Sequence, residues 1–144
     1  MIDLRGQTAV ITGGGRGLGR SFAQALDGVG ASVAVIARSS AELDETVKLL
    51  DSNARAFAAD VTDSQAIRDA FAQIGPVDLL VNNAGTLGPI GPFAGGDFDE
   101  WCYAIEVNLR GAMLCTHAVL SGMHERRRGR IVNKIGRASC RERV

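Results

Sequence analysis

The chain has 144 residues, in which 16 basic side chains balance 16 acidic ones. This balance argues against a protein that binds nucleic acid or a membrane surface by electrostatic attraction, because such proteins carry a basic excess. No apolar run reaches the ~18–20 residues of a membrane span, and the first residues lack the plan of a signal peptide. The three cysteines fit neither a metal site nor an even disulfide set. We therefore expect a cytoplasmic protein without a metal.

Short apolar runs alternate with amphipathic segments in chain order. The predicted strands are 8–12, 33–37, 54–59 and 77–81, with a fifth beginning at Ile131. The predicted helices are 18–29, 40–50, 64–74 and a long one over 99–127, stopped by Gly129. Ser40 is the expected N-cap of the second helix, and Asp63 or Ser64 opens the third. The alternation predicts an α/β fold, a Rossmann-like doubly wound parallel sheet truncated after about the fifth strand.

A glycine-rich turn joins the first predicted strand to the first predicted helix. Gly13, Gly17 and Gly19 follow the spacing G-x-x-x-G-x-G rather than G-x-G-x-x-G. Such a turn lets the backbone approach a pyrophosphate, and the helix N-terminus offers free N–H groups and the positive end of its dipole. The alternative is a merely flexible turn. The residues predicted to bind a dinucleotide here are Thr12, Gly13, Gly15, Arg16, Gly17, Leu18 and Gly19.

The end of the second predicted strand favours NADP over NAD. Dinucleotide-binding folds that prefer NAD usually carry an acidic residue there to hold the ribose 2′-hydroxyl. This chain has Ala37, followed by Arg38 and Ser39, so it offers no carboxylate at that position. A guanidinium can pair with a 2′-phosphate in bidentate fashion, and Arg16 could add a second cation. The alternative is that both arginines are solvated surface residues.

Two residues follow the third predicted strand, Asp60 and Val61. An acid at this position can accept a hydrogen bond from the adenine amino group, so both residues are candidate cofactor contacts. An ordinary strand-end aspartate that caps the next helix is an equally open interpretation.

Four segments in register resemble the short-chain dehydrogenase/reductase family across residues 5–133. They are the glycine turn TGGGRGLG, the Asp-Val pair after the third strand, the NNAG segment at 82–85, and Asn108 within VNLRG. The resemblance implies that Asn83, Ala84 and Gly85 line the cofactor site. It also implies that Asn108 belongs to an Asn-Ser-Tyr-Lys catalytic set and helps hold a proton-relay water.

The resemblance also implies a reaction and partners. The reaction is hydride transfer between C4 of the nicotinamide and the carbon of a small-molecule carbonyl or secondary alcohol. Reductases of β-ketoacyl carrier proteins and sugar or polyol dehydrogenases are the nearest substrate classes. A homo-oligomer is expected for the full-length protein, with the helix that carries Asn108 at the interface. We expect Trp101, Met113 and Leu114 to pack in the core or against a second subunit.

The catalytic set departs from the family pattern. The family uses a tyrosine as general acid or base, with a lysine four residues later that lowers its pKa, and a serine that orients the substrate oxygen. The only tyrosine here is Tyr103, and Val107 follows it at the lysine position. The family serine would fall just after the fifth strand. The rival interpretation is a non-catalytic NADP-binding or regulatory protein of the same fold.

The last residues differ in character from the rest of the chain. Residues 135–144 read IGRASCRERV, without period two or period 3.6. This stretch resembles a translated sequencing-library adapter, whose frame also supplies Lys134. We therefore expect residues 1–133 to be an incomplete NAD(P)-binding domain, residues 134–144 to be a non-native tail, and the chain as given to be inactive.

Overall fold

The structure is a computed structural model, and it describes residues 2–51 and 53–134. Its strands are β1 (Thr8–Thr12), β2 (Ser32–Ala37), β3 (Arg55–Ala58), β4 (Leu79–Asn82) and β5 (Arg130–Asn133). Its α-helices are α1 (Gly17–Asp27), α2 (Ser40–Val47), α3 (Ser64–Ile74), α4 (Phe98–Ile105) and α5 (Ala112–Glu125). A 3₁₀ turn covers Phe93–Gly95, and a π-helical segment covers Glu106–Gly111.

The strands form one parallel sheet in the order β3-β2-β1-β4-β5. Ile11 of β1 pairs with Val35 of β2 on one side and with Val81 of β4 on the other. The chain therefore steps outward from β1 to β3 and then returns to the opposite side of β1. This confirms the predicted doubly wound α/β fold, and it creates a switch point between β1 and β4, where ligands bind in such sheets.

Both faces of the central strands are covered by helices. Val10 faces an apolar cluster that includes α3 and α5, whereas its neighbour Ile11 faces a second cluster that includes α1 and α2. Both side chains are fully buried. Successive side chains of a strand point to opposite faces, so a strand covered on both sides must be apolar throughout. This explains the short continuous apolar runs in the sequence.

A predicted helix boundary agrees with the structure where a neighbouring side chain caps the helix, as in α3. The third helix was predicted correctly as 64–74, and the Asp63 side chain caps it by accepting from the backbone N–H groups of Gln65 and Ala66. The predicted Ser40 cap of α2 is wrong, because Ser39 accepts from the N–H of Glu42 instead. Three ends move by two or three residues, since α1 ends at residue 27 rather than 29, α2 ends at 47 rather than 50, and β4 begins at 79 rather than 77.

The predicted long helix over 99–127 is interrupted and shorter. A π-helical segment separates α4 from α5, and a Cβ added at Gly111 in this segment would lie 2.7 Å from Cγ2 of Val61. The helix ends at Glu125 because Arg127 adopts a left-handed φ of 50°. The Arg128 N–H then donates to the carbonyl of Met123, as in a Schellman motif.

Within residues 2–51 and 53–134, no helix is long and apolar enough to cross a bilayer. Of the predicted non-native tail, only Lys134 is described; its N–H donates to the carbonyl of Asn82 at 3.0 Å, and residues 135–144 lie outside the described part.

Candidate functional site

A cavity of about 700 Å³ lies at the carboxyl ends of the central strands, within the size range of small-molecule sites. Thirteen of the fourteen predicted cofactor residues line it: Gly13, Gly15, Arg16, Gly17, Leu18, Gly19, Arg38, Ser39, Asp60, Val61, Asn83, Ala84 and Gly85. We call this cavity the cleft. The fold thus brings together four segments that are far apart in the sequence.

Thr12, the remaining predicted cofactor residue, lies buried behind the cleft. Its hydroxyl accepts hydrogen bonds from the backbone N–H groups of Asn83 and Ala84, both at 3.0 Å. In return the Asn83 side-chain amide donates to the carbonyls of Thr12 at 3.0 Å and Gly13 at 3.3 Å. These bonds lock the glycine turn after β1 to the turn after β4, so Thr12 supports the cleft without lining it.

The glycine turn is shaped by close backbone approaches. A Cβ at Gly19 would collide with the carbonyl of Gly13 and lie 2.7 Å from the Asn83 amide nitrogen, and a Cβ at Gly13 would lie 2.9 Å from Cα of Ala84. Only glycine fits both positions. The N-cap of α1, Arg16, makes no side-chain cap bond. The first N–H groups of α1 therefore remain available, and the turn fits a pyrophosphate.

An arginine and a threonine hold the backbone of the glycine turn in place. Arg20 donates to the Gly15 carbonyl at 2.6 Å and to the Thr46 hydroxyl at 3.0 Å, and that hydroxyl donates to the same carbonyl at 2.9 Å. Arg20 also pairs with Glu45 at 3.1 Å. Sequence reasoning missed this support, because Arg20 and Thr46 belong to different helices and no local pattern connects them.

Two arginines reach the cleft at its β2 end, in different electrostatic states. Nη1 of Arg16 lies 3.5 Å from a carboxylate oxygen of Glu42, whereas Nη1 of Arg38 donates to the Tyr103 hydroxyl at 2.7 Å. Glu42 and Tyr103 both line the cleft, and sequence reasoning assigned neither to it. The end of β2 itself has no carboxylate, as predicted, but α2 brings Glu42 to the same place. Arg16 is therefore paired with a carboxylate, whereas Arg38 has no acidic partner among residues 2–51 and 53–134.

Asp60 lines the cleft beside β3 and forms a local turn. Its Oδ1 atom accepts from the backbone N–H of Thr62 at 2.9 Å and from the Thr62 hydroxyl at 2.8 Å. The interpretation of Asp60 as the cap of the next helix is wrong, because Asp63 caps α3.

Asn108 lies in the π-helical segment and binds the backbone of one residue. Its Oδ1 accepts from the N–H of Thr86, and its Nδ2 donates to the carbonyl of Thr86, both at 2.8 Å. Asn108 lines a second cavity of about 890 Å³, which shares the wall 83–86 with the cleft. π-Helical segments interrupt α-helices frequently at functional sites. Asn108 therefore positions the segment that separates the two cavities.

The first asparagine of the NNAG segment connects β4 to its neighbours. Nδ2 of Asn82 donates to the Thr116 hydroxyl at 3.1 Å and to Oδ1 of Asn133 at 2.8 Å. Its own Oδ1 is buried without a partner among the described residues. Asn82 thus connects β4 to its neighbours and lines the second cavity rather than the cleft.

Other reactive side chains do not form a centre in the described part of the chain. No group of three metal-ligating side chains occurs within residues 2–51 and 53–134. Cys115 is fully buried, and burial raises the pKa of its thiol to about 12. The thiol therefore stays protonated at neutral pH and belongs to the core.

Comparisons with known proteins agree on one family. The family model described as short chain dehydrogenase matches residues 7–141. L-xylulose reductase of Mesocricetus auratus is 36% identical over 141 residues, which cover 97% of this chain and 57% of that protein. The chain spans about half the length of the curated relatives it matches.

Solved structures show the same fold with either nicotinamide cofactor. An actinorhodin polyketide ketoreductase with NADPH superposes with a TM-score of 0.82 at 36% identity, covering 87% of this chain and 51% of that one. An NAD⁺-bound xylitol dehydrogenase gives 0.83 at 26% identity, covering 89% and 52%. Together with the glycine turn, the NNAG segment and the cleft between β1 and β4, these matches show that the chain belongs to the short chain dehydrogenase family.

Proposed function

We propose that the protein is an NADP-dependent oxidoreductase that transfers hydride between the nicotinamide and a carbonyl or secondary alcohol. The observation that carries this proposal is the cleft at the switch point of the sheet, with the glycine turn at one wall and Arg38 at its β2 end. A nicotinamide bound there would supply the hydride. The residues of the chain hold and orient the reactants.

The preference for NADP rests on Arg38. Ala37 occupies the position at which an acidic residue would hold the ribose hydroxyl of NAD. Within the described part of the chain, Arg38 has no acidic partner, and its contact with Tyr103 uses Nη1 alone. Its Nε and Nη2 groups can therefore donate to two phosphate oxygens. Arg16 contributes less, because the Glu42 carboxylate competes for it.

The second cavity is the proposed substrate side. It has apolar walls from Leu87, Leu109 and Met113, and polar groups at Asn82 and Asn108. A small carbonyl or alcohol would meet the cofactor across the shared wall 83–86. Asn108 holds that wall in place through Thr86 and is the proposed member of the catalytic set. The similarity to L-xylulose reductase supports a sugar or polyol among the candidate substrates.

The acid or base that completes the reaction is proposed to lie in native sequence after Asn133. Tyr103 is the chain's single tyrosine, and it contacts Arg38 at the β2 end of the cleft rather than the second cavity. We propose that residues 134–144 are non-native and that residues 1–133 are part of a longer cytoplasmic enzyme. That enzyme is proposed to be a homo-oligomer.

Titration of NADPH and NADH into the full-length protein tests the cofactor proposal. We expect NADPH to bind at least about tenfold more tightly, because a charge-assisted hydrogen bond contributes about 1.5–3 kcal/mol. Arg38→Ala should remove most of this difference. Arg68→Ala is the matched control, since Arg68 lies on α3 and contacts Gln65 away from the cleft. Tighter binding of NADH, or an unchanged preference in Arg38→Ala, would contradict the proposal.

A further inference from the structure

We propose that Tyr103 is a positioning residue for the 2′-phosphate, because its phenol fixes the guanidinium of Arg38 at the β2 end of the cleft. This inference rests on the proposed preference for NADP. Tyr103 lies on α4 and Arg38 follows β2, so the contact joins two elements 65 positions apart. Both side chains line the cleft.

The contact orients Arg38 through one nitrogen. Nη1 donates to the Tyr103 hydroxyl at 2.7 Å, and this is the sole side-chain hydrogen bond of Arg38 among residues 2–51 and 53–134. A guanidinium carries five N–H groups in one plane, and its Nε and Nη2 groups form a fork that matches two phosphate oxygens. The phenol thus engages only Nη1, and Nε and Nη2 stay available for a phosphate.

Arg38 and Arg16 differ in their partners, because Arg38 contacts a phenol and Arg16 contacts a carboxylate. The Glu42 carboxylate 3.5 Å from Arg16 offsets the charge of that guanidinium, so a phosphate must compete with it. A phenol oxygen accepts a hydrogen bond without offsetting charge. Arg38 therefore keeps its charge available for a dianionic phosphate while its long side chain is held in place.

Holding the side chain in advance strengthens binding. An arginine side chain that is not held by a neighbour loses rotamer freedom when it binds a phosphate, and this loss weakens the complex. Tyr103 restricts the same rotamers before the ligand arrives. Tyr103 is 41% exposed, so its hydroxyl can be removed without disturbing a packed core.

The test compares two ligands that differ by one phosphate, adenosine 2′,5′-bisphosphate and adenosine 5′-monophosphate, by calorimetry on the full-length protein. We expect Tyr103→Phe to weaken the bisphosphate about fivefold and to leave the monophosphate unchanged. Arg38→Ala should weaken the bisphosphate at least about tenfold. In the Arg38→Ala background, Tyr103→Phe should have no further effect, because the phenol acts through Arg38.

Three other results would overturn the positioning role of Tyr103, and a fourth would also overturn the NADP preference. An equal loss for both ligands in Tyr103→Phe, or no loss for either, overturns the positioning role. A loss in Tyr103→Phe that persists in the Arg38→Ala background also overturns it, because the phenol would then contact the phosphate itself. If Arg38→Ala leaves the ratio of the two affinities unchanged, the proposed NADP preference fails as well. Thermal unfolding of each variant checks that the phenylalanine leaves the fold intact.

Discussion

Polar side chains join β1 to β4 at both ends of these strands, but only the contacts at the carboxyl end lie beside the cleft. At the amino end, the Asp78 carboxylate accepts from the N–H of Thr8 at 3.0 Å and from two nitrogens of Arg128 at 2.9 and 2.8 Å. At the carboxyl end, Thr12 and Asn83 exchange hydrogen bonds beside the cleft. At the amino end, Asp78 and Arg128 form an ion pair with each other. At the carboxyl end, the hydrogen bonds fix one wall of the cleft. Changes at the two ends should therefore alter different measurements.

The largest expected effect is the absence of turnover in a polypeptide of these 144 residues. The carboxyl end supplies Asn108, but Tyr103 contacts Arg38 and has Val107 at the position of the partner lysine. Because Tyr103 lacks the partner lysine of the family pattern, we expect no side chain of the described part to deliver the proton that accompanies hydride transfer. NADPH oxidation with a panel of ketones measures this. Turnover well above a control without protein would show that a described residue serves as the acid.

Gly19→Ala should greatly weaken cofactor binding at the carboxyl end. The new methyl group would collide with the Gly13 carbonyl and the Asn83 amide, so the turn could not keep its shape. We expect NADPH affinity to fall at least about a hundredfold, which corresponds to about 3 kcal/mol. Gly95→Ala is the matched control, because no atom lies within 4 Å of its added Cβ. Equal affinities of the two variants would contradict the proposed role of the turn.

Asp78→Asn should change stability at the amino end and leave cofactor affinity intact. Burial raises the pKa of Asp78, but the Thr8 N–H and the Arg128 guanidinium lower it by more, so this pKa lies below its ordinary value of 3.8. The stabilisation is therefore present above this ordinary value, which applies to the unfolded chain, and is lost as the pH falls through the lower folded pKa. We expect Asp78→Asn to lower the free energy of unfolding by about 1–3 kcal/mol at neutral pH.

Urea unfolding between neutral pH and about pH 2.5 measures this effect. The variant should lose less further stability on acidification than the parent protein, since it has no carboxylate to protonate at this position. Asp44→Asn on the exposed surface of α2 is the control, and its unfolding should follow the parent. Loss of NADPH binding in Asp78→Asn at neutral pH would show that the two ends are not independent.

The smallest expected effect is that of Asn108→Ala. It removes both hydrogen bonds to the Thr86 backbone, and we expect the free energy of unfolding to fall by about 1–2 kcal/mol. Asn108→Asp should be at least as damaging, because it replaces a donor by an oxygen beside the Thr86 carbonyl. Chemical denaturation of the two variants measures this. Stability equal to the parent in both would show that the bonds to Thr86 are dispensable.

The candidate site was largely predictable where it depends on chain order. The helix over 64–74 was predicted with its bounds, since its cap and its apolar spacing both lie within the segment. The glycine turn, residues 37–39 and the NNAG segment were placed in one site because parallel strands that alternate with helices present their carboxyl ends at the same edge. The structure brings these segments to one cleft.

What the sequence determined by itself is thus the fold class, the order of its elements and the segments that form the cleft. Only the tertiary structure decided which side chains meet there. Tyr103 contacts Arg38 across 65 positions, Arg16 faces Glu42, and Asn108 binds Thr86 from a π-helical segment within a region predicted as one α-helix. Periodicity and capping depend on neighbours a few residues away, whereas these contacts depend on how separate elements pack.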